Sequence, residues 1–292
     1  VIFIFALLSA TSMAQLNITM PVNDLFSLKG KNVLITGGTG VLGQVMVQGL
    51  VEAGAAVAIL GRRLDAGQAL ARRINESGGR AIALQADVLD REQLNRARQV
   101  FNSELGTIDI LINAAGGNLP GAIVPPDRNF FDLKLDDFQK VVDLNLMGSV
   151  LPTQVFAVDM AAQKKGVIIN IASMAAFKPI TRVGGYSAAK AAIANFTTWL
   201  AVEMVKKYGE GIRVNALSPG FFLTEQNRAL LTNADGSYTA RGQAAIHQTP
   251  YGRLGHPEEL IGTLIWLCSD ASAFVTGINV PVDGGFTAFC GV

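Results

Sequence analysis

Short apolar, β-rich runs alternate along this chain with longer segments whose apolar residues recur at helical spacing. No other feature constrains the fold as tightly. The runs are NVLIT (32–36), AAVAIL (55–60), RAIALQ (80–85), IDILIN (108–113), GVIINIAS (166–173), IRVNAL (212–217) and GINVPV (277–282). Helical patterns fill 41–53, 65–77, 135–163 and 186–207. Asp90 with Gln93 forms a capping-box pattern that opens a further helix through Glu104. Pro257 suits the first position of a last helix over 257–268. The strand runs are continuously apolar rather than alternating, which is what burial on both faces demands. A parallel sheet with helices on each side follows, and right-handed crossovers wind it doubly into an α/β domain. No repeat, charge run or Pro/Ser linker divides it, so the sequence predicts one domain over 24–292.

Composition narrows the function classes. The chain has 292 residues, 50% hydrophobic and 16% charged, with a formal net charge of +1. That excludes disorder. Near-neutrality argues against nucleic acid as a partner, because phosphate binding needs a basic surface. Two cysteines and two histidines are too few for a disulfide framework or a four-ligand zinc site, so no metal is expected. The apolar run VIFIFALL at 1–8 falls far short of the ~20 residues that span a bilayer, and no membrane partner is expected. Residues 1–23 read as an N-terminal extension. It is either sequence upstream of a misplaced start, with Met13 or Met20 as the true one, or a signal-like segment with Ser12 and Ala14 at a small-x-small site. A cytoplasmic protein is the expectation.

After the first strand, Gly38-Thr39-Gly40-Val41-Leu42-Gly43 fits G-x-G-x-x-G between a strand and a helix, the context this motif requires. Glycines let the backbone turn sharply and approach a pyrophosphate, which the helix N-terminus attracts. An ordinary strand-to-helix turn is the competing reading. An NAD-selective site wants a carboxylate at the end of the second strand, to bond the ribose 2′-hydroxyl. Here that strand runs into Gly61-Arg62-Arg63, and no carboxylate comes before Asp65. Arginines pair with a 2′-phosphate, so NADP(H) is favoured over NAD(H), unless the two are solvated loop residues.

Tyr186 and Lys190 stand four apart at the start of a helix, on one face. A cation beside a phenol stabilises phenolate, and this is expected to make Tyr186 a better acid/base than its reference pKa of ~10 allows. That suits proton donation to a carbonyl oxygen as hydride reaches its carbon. Ser173 ends the fifth strand, where ligands gather in open α/β sheets; its hydroxyl can bond a substrate oxygen or Tyr186. Asn145 sits mid-helix, where Asn is a poor helix former. It bonds either backbone across the sheet or a water in a proton relay to Lys190.

These pieces, in this order, resemble the short-chain dehydrogenase/reductase family over roughly residues 28–287. The matching segments are TGGTGVLG (36–43), ADV (86–88), NAAG (113–116), Asn145, Ser173, YSAAK (186–190), and SPG (218–220) with Thr224. The resemblance implies a Rossmann-type domain. It implies Tyr186 as acid/base with Ser173, Lys190 and Asn145 beside it. It also implies a dinucleotide held by Gly37 to Gly43, Arg62, Arg63, Asp87 and Val88. Asn113, Ala114, Ala115 and Gly116 would line its adenosine side. Pro219, Gly220, Phe222 and Thr224 would hold the nicotinamide carboxamide, and a homotetramer is implied. The family's common short form is TGxxxGxG; this chain has TGxxGxxG, typical of longer members. GGTGVLG, NAAGGN, DLNLMGSVLPTQVF, SPGFFLTEQNRALLT and PVDGGFTAF resemble a subgroup of D-mannonate oxidoreductases, or fructuronate reductases. That narrower likeness implies reversible reduction of D-fructuronate to D-mannonate.

Two segments exceed ordinary connections, 117–133 and 221–250, and the second is a lid candidate. A sugar-acid substrate carries a carboxylate, which arginine binds in a forked geometry. Arg228 is the first candidate and Arg128 the second, with Gln226 and Asn118 for sugar hydroxyls; each is otherwise a solvated loop side chain. The pairs Phe130–Phe131 and Phe221–Phe222 are expected to cover core or subunit surface. Trp199 and Trp266 read as packing residues, and Cys268 as a buried small hydrophobe. Other carbonyl substrates stay open: an alginate-derived deoxy-keto-uronate, a gluconate-type keto acid or a 3-oxoacyl thioester. Outside enzymes, the chain could be a non-catalytic dinucleotide-binding protein, though it carries the full acid/base set.

Overall fold

The computed structural model describes residues 20–223, 228 and 231–291. Most of the expected N-terminal extension therefore lies outside the described residues; Met20 is exposed, and a single turn, α1 (Val22–Leu25), leads into the domain. Seven parallel strands form one sheet: β1 (Asn32–Thr36), β2 (Ala56–Gly61), β3 (Arg80–Gln85), β4 (Ile110–Asn113), β5 (Gly166–Ile171), β6 (Ile212–Pro219) and β7 (Asn279–Val282), in the order β3-β2-β1-β4-β5-β6-β7. The helices are α2 (Val41–Glu52), α3 (Leu64–Glu76), α4 (Arg91–Glu104), α5 (Leu135–Val142), α6 (Gly148–Gln163), α7 (Gly184–Tyr208), α8 (Ala240–His247) and α9 (Ile261–Cys268). The doubly wound parallel sheet expected from the alternation is present.

Each of β1 to β6 serves two cores. Val33, Ile35, Val57, Ile59, Ile110 and Ile112 join one buried cluster, with Met46 and Leu50 of α2 and Leu264 and Leu267 of α9. Their neighbours Leu34, Ala58, Leu60 and Leu111 join the other, with Phe101 of α4, Phe156 of α6 and Leu200 of α7. Successive side chains point to opposite faces, so both phases of the strand must be apolar. That is the physical content of the continuous runs. Burial stabilises each such side chain by about 1.5–3 kcal/mol.

Two elements differ from expectation. The capping box at Asp90 is half formed. Asp90 accepts from the Gln93 N–H at 3.0 Å, but the Gln93 side chain accepts from the Asp87 N–H at 2.9 Å rather than from Asp90. The helix expected over 135–163 is broken by a π-helical turn, Asp143–Met147. Pro152 lies just downstream, inside α6. It has no N–H for the carbonyl four residues back, and its ring crowds that carbonyl. This whole stretch is long and apolar enough to cross a membrane, but half of its apolar window is buried in the fold.

The order reverses between β1 and β4. That switch point, at the carboxyl ends of the strands, is where open α/β sheets bind ligands.

Candidate active site

A cavity of about 620 Å³ opens at this edge, lined by residues following β1, β2, β3, β4, β5 and β6. Its first wall is the glycine turn. Gly37 has φ +68°, and a Cβ there would lie 2.8 Å from the Ala114 carbonyl oxygen. A Cβ on Gly43 would collide with the Gly37 carbonyl oxygen. Only glycine permits these approaches. Gly40 is the N-cap of α2 and Val41 its first residue, so the variant spacing still delivers a helix N-terminus to the cavity. Buried Thr36 braces the turn, its Oγ1 accepting from the Ala114 and Ala115 N–H groups at 3.0 and 3.1 Å.

Arg62 and Arg63 lie on the lining at the end of β2, both exposed. Asp65 is in the first turn of α3 and off the lining. Asp87, Val88, Ala114, Ala115, Gly116, Pro219, Gly220 and Phe222 are all brought to the cavity. Thr224 lies outside the described residues.

Asn113 departs from its expected place. It is 1% exposed and lies beneath the lining, donating to Thr153 Oγ1 and Asn170 Oδ1, each at 2.9 Å. Asn170 in turn donates to Thr197 Oγ1 at 2.9 Å. This chain of amides and hydroxyls ties β4 to β5, α6 and α7 under the site. A polar residue inside an apolar strand was its sequence signal.

The catalytic candidates converge at the other end. Ser173, 5% exposed, follows β5, where its Oγ accepts from the Ala175 N–H at 3.1 Å, and its hydroxyl is near enough to Tyr186 to act on the phenol. Tyr186 stands in the first turn of α7, half-buried, on the lining. Lys190, 5% exposed, lies one turn on with its Nζ 5.6 Å from the Tyr186 ring centroid, donating to the Ile171 carbonyl at 2.8 Å. Asn145 is fully buried in the π-helical turn. Its Nδ2 donates to the Gly117 carbonyl at 2.7 Å and the Val141 carbonyl at 2.8 Å, and its Oδ1 accepts from the Gly117 N–H at 3.1 Å. The π turn leaves the Val141 carbonyl to the side chain. A Cβ on Gly116 would come within 2.7 Å of Asn145 Oδ1 and 3.3 Å of Lys190 Nζ. Gly116, Asn145 and Lys190 thus share one small volume.

The electrostatics revise the expected effect of the ammonium. Burial pushes the Tyr186 phenol above its ordinary value, with the Ser173 hydrogen bond acting the other way. Burial also lowers Lys190, to about 8. Desolvation dominates at both groups, so at neutral pH this is a protonated phenol beside an ammonium.

The three substrate candidates among the described residues are not on the lining of the cavity. Asn118 is exposed and accepts from the adjacent Leu119 N–H at 3.0 Å. Arg128 lines a separate hollow of about 350 Å³ with Lys134 and Asp137. Arg228 is exposed and off the lining, and Gln226 lies outside the described residues. Phe130 and Phe131 are exposed rather than in the core. Phe222 is buried, whereas Phe221 packs edge-on against Phe286 at 5.5 Å. Trp199 is 57% exposed on α7, so on the single chain it is not a core packing residue. Trp266 is half-buried and donates to the Ala271 carbonyl at 3.2 Å, and Cys268 is buried with its thiol pushed up to about 12.

A short chain dehydrogenase family model matches residues 31–235. This chain belongs to the short-chain dehydrogenase/reductase family. It is an oxidoreductase, and the family binds NAD(P). It is 47% identical over 275 residues to the uncharacterized oxidoreductase UxuB of Bacillus subtilis, covering 91% of this chain and 98% of that one. A protein provisionally named D-mannonate oxidoreductase from Haemophilus influenza, solved with bound NAD, is 43% identical with a TM-score of 0.87, covering 93% of this chain and all of that one. A gluconate 5-dehydrogenase from Burkholderia cenocepacia, solved with NADP and tartrate, is 35% identical with a TM-score of 0.81, over 92% of this chain and all of that one. Within this family, neighbours acting on sugar acids surround the chain.

Proposed function

We propose that this protein is a cytoplasmic reductase of a keto-sugar acid, taking D-fructuronate to D-mannonate with NADPH as preferred reductant. The observation that carries the reading is the arrangement of one cavity. Tyr186, Ser173 and Lys190 stand at one end, and the glycine turn with Arg62 and Arg63 at the other. The D-mannonate oxidoreductase name of the Haemophilus neighbour supports the substrate.

The cradle that a Cβ on Gly37 or Gly43 would fill fits a dinucleotide. The N-terminus of α2 would take the pyrophosphate, Arg62 and Arg63 a 2′-phosphate, and Asp87 with Val88 the adenine side. Pro219 and Gly220 would flank the nicotinamide, which when bound supplies hydride to the carbonyl carbon. Ser173 holds the substrate carbonyl oxygen, and Tyr186 donates its phenolic proton to that oxygen. Lys190 keeps positive charge beside the phenolate left behind. Asn145 holds Gly117, and with it the loop that closes the cavity. Exposed apolar residues, Trp199 and Val202 on α7 and Phe274, support assembly with further copies, a homotetramer in our reading.

The gluconate 5-dehydrogenase neighbour, with tartrate bound, favours a second reading, reduction of a gluconate-type keto acid. Purified protein mixed with D-fructuronate, and in parallel 5-ketogluconate, separates the two by absorbance at the reduced-nicotinamide band. Rapid oxidation with D-mannonate as product is expected. Cofactor that binds yet stays reduced with fructuronate would sink the assignment. With NADPH and NADH compared, Arg62→Ala/Arg63→Ala should lose preference for NADPH. An unchanged ratio would remove these arginines from cofactor choice.

A further inference from the structure

The segment after β7 folds back as a short turn, and a single ammonium fastens it. Asp283 opens the turn. Its carboxylate accepts from the Gly285 and Thr287 N–H groups at 2.9 and 2.8 Å, and the Phe289 N–H closes on the Gly285 carbonyl at 3.0 Å. Lys178 is half-buried in the connection from β5 to α7. Its Nζ donates to the Phe289 carbonyl and, at 3.2 Å, to the Phe286 carbonyl. The same ammonium stands 5.9 Å from the centroid of the Phe286 ring, within cation–π range. Among the described residues Lys178 has no carboxylate partner. A cation that water would otherwise solvate is thus held by two carbonyls and one ring of the same turn.

Each side of this turn meets a segment that bounds the cavity. The Lys178 N–H donates to the Met174 carbonyl at 3.1 Å, which roots the ammonium in the loop that carries Ser173. On the other side the Gly220 N–H donates to the Val282 carbonyl at 2.9 Å, and a Cβ on Gly220 would lie 2.6 Å from the Asp283 Cα. The Phe286 ring packs edge-on against Phe221 at 5.5 Å. Ser173, Gly220 and Phe221 all line the cavity. Phe221 also packs against the small core of Leu231, Ala245 and Leu254, which belongs to the long segment after β6. Its ring is therefore where that segment, the C-terminal turn and the cavity meet.

We propose that Lys178 is a positioning residue for the β6 wall of the cavity. It fastens the C-terminal turn to the Ser173 loop, so that Phe286 holds Phe221 in place. Neither Lys178 nor Phe286 is on the lining, so both act through Phe221. Without the ammonium the turn keeps the bonds made by Asp283, but it is no longer tied to the Ser173 loop, and Phe221 loses its fixed support. That this wall faces the nicotinamide and the substrate rests on the reading above, which puts the nicotinamide beside Pro219 and Gly220. A loosened wall removes binding that ground state and transition state share, which raises KM and spares kcat.

Acrylamide quenching of the fluorescence of bound NADPH reads how open that end of the cavity is, and it needs no substrate. The quenching constant should rise about twofold or more in Lys178→Met and in Phe286→Ala, with circular dichroism as in wild type. The double variant should be no worse than the worse single one, because ammonium and ring act in series. With D-fructuronate, KM should rise about tenfold in each variant while kcat changes by less than about twofold. A purely structural role would lower the folded fraction and leave KM and quenching of the folded enzyme where they were. Quenching at the wild-type level in both single variants, or effects that multiply in the double variant, would overturn the role of Lys178. The two readings fail separately. Quenching raised in an enzyme inert toward fructuronate removes the substrate and keeps the positioning role. Fructuronate reduced with wild-type KM and wild-type quenching in both variants keeps the substrate and removes the positioning role.

Discussion

At Tyr186 and Lys190 the same burial acts on two groups in opposite senses. It raises the phenol and lowers the ammonium to about 8. A phenol held protonated is the form a reductase needs, since reduction consumes its proton. Tyr186→Phe should therefore bind NAD(P)H normally and lose turnover by a factor of about 10² or more, the usual worth of a general acid. Stopped-flow oxidation beside fluorescence titration of the cofactor separates the two effects. Lys190 carries a pH signature as well. Its ordinary value is 10.5, so between about 8 and that value the unfolded chain binds more protons than the folded one, and stability rises with pH. Below about 8 the whole cost of burying the charge is present. Wild type should gain stability relative to Lys190→Met between pH 7 and about pH 10, by on the order of 3 kcal/mol. Urea unfolding at both pH values reads this difference, and a gap independent of pH would show that burial leaves the proton affinity of Lys190 at its ordinary value. Reduction by wild type should decline above about pH 8, as the ammonium loses its proton.

Elements place these side chains by breaking their own regularity. The π turn at Asp143–Met147 turns Asn145 toward Gly117, where a continuous α-helix would carry it past. The glycine turn does the same for a helix N-terminus. Gly43 is the sharper test, because a Cβ there would meet backbone rather than a side chain that can move. Gly43→Ala should keep the sheet and weaken NAD(P)H binding by at least tenfold, with circular dichroism close to wild type. Normal cofactor affinity in that variant would mean that the turn does not cradle the pyrophosphate.

Across the whole molecule, Arg213 shows a buried charge used to join elements far apart in sequence. It is 7% exposed on β6, and its guanidinium donates to the Leu267 and Ser269 carbonyls at 3.0 Å and to Val275 at 3.3 Å. These carbonyls end α9 and begin the return to β7, where a cation also meets the negative end of the helix. Arg213→Met should destabilise the fold by about 2–4 kcal/mol by leaving buried carbonyls unpaired. The kcat of the folded fraction should not change, because Arg213 lies off the cavity. Thermal unfolding with activity below the transition checks both. None of this was legible from the sequence, where Arg213 is one basic residue within an apolar run.

What the chain determines locally is what depends on neighbours in sequence. Apolar runs dictated strands buried on both faces, and Thr36 to Gly43 dictated a tight strand-to-helix turn. Tyr186 and Lys190 share a face because a helix returns every 3.6 residues. β1 to β7 lie within about two residues of where those patterns put them. What only the tertiary structure decided depends on residues that meet across loops. Asn113 has an interior role because Thr153 and Asn170 reach it from other elements. Tyr186 is itself desolvated once the chain has folded, and this raises its phenol. A charge acts through distance and dielectric, and a sequence specifies neither until the chain has closed on itself.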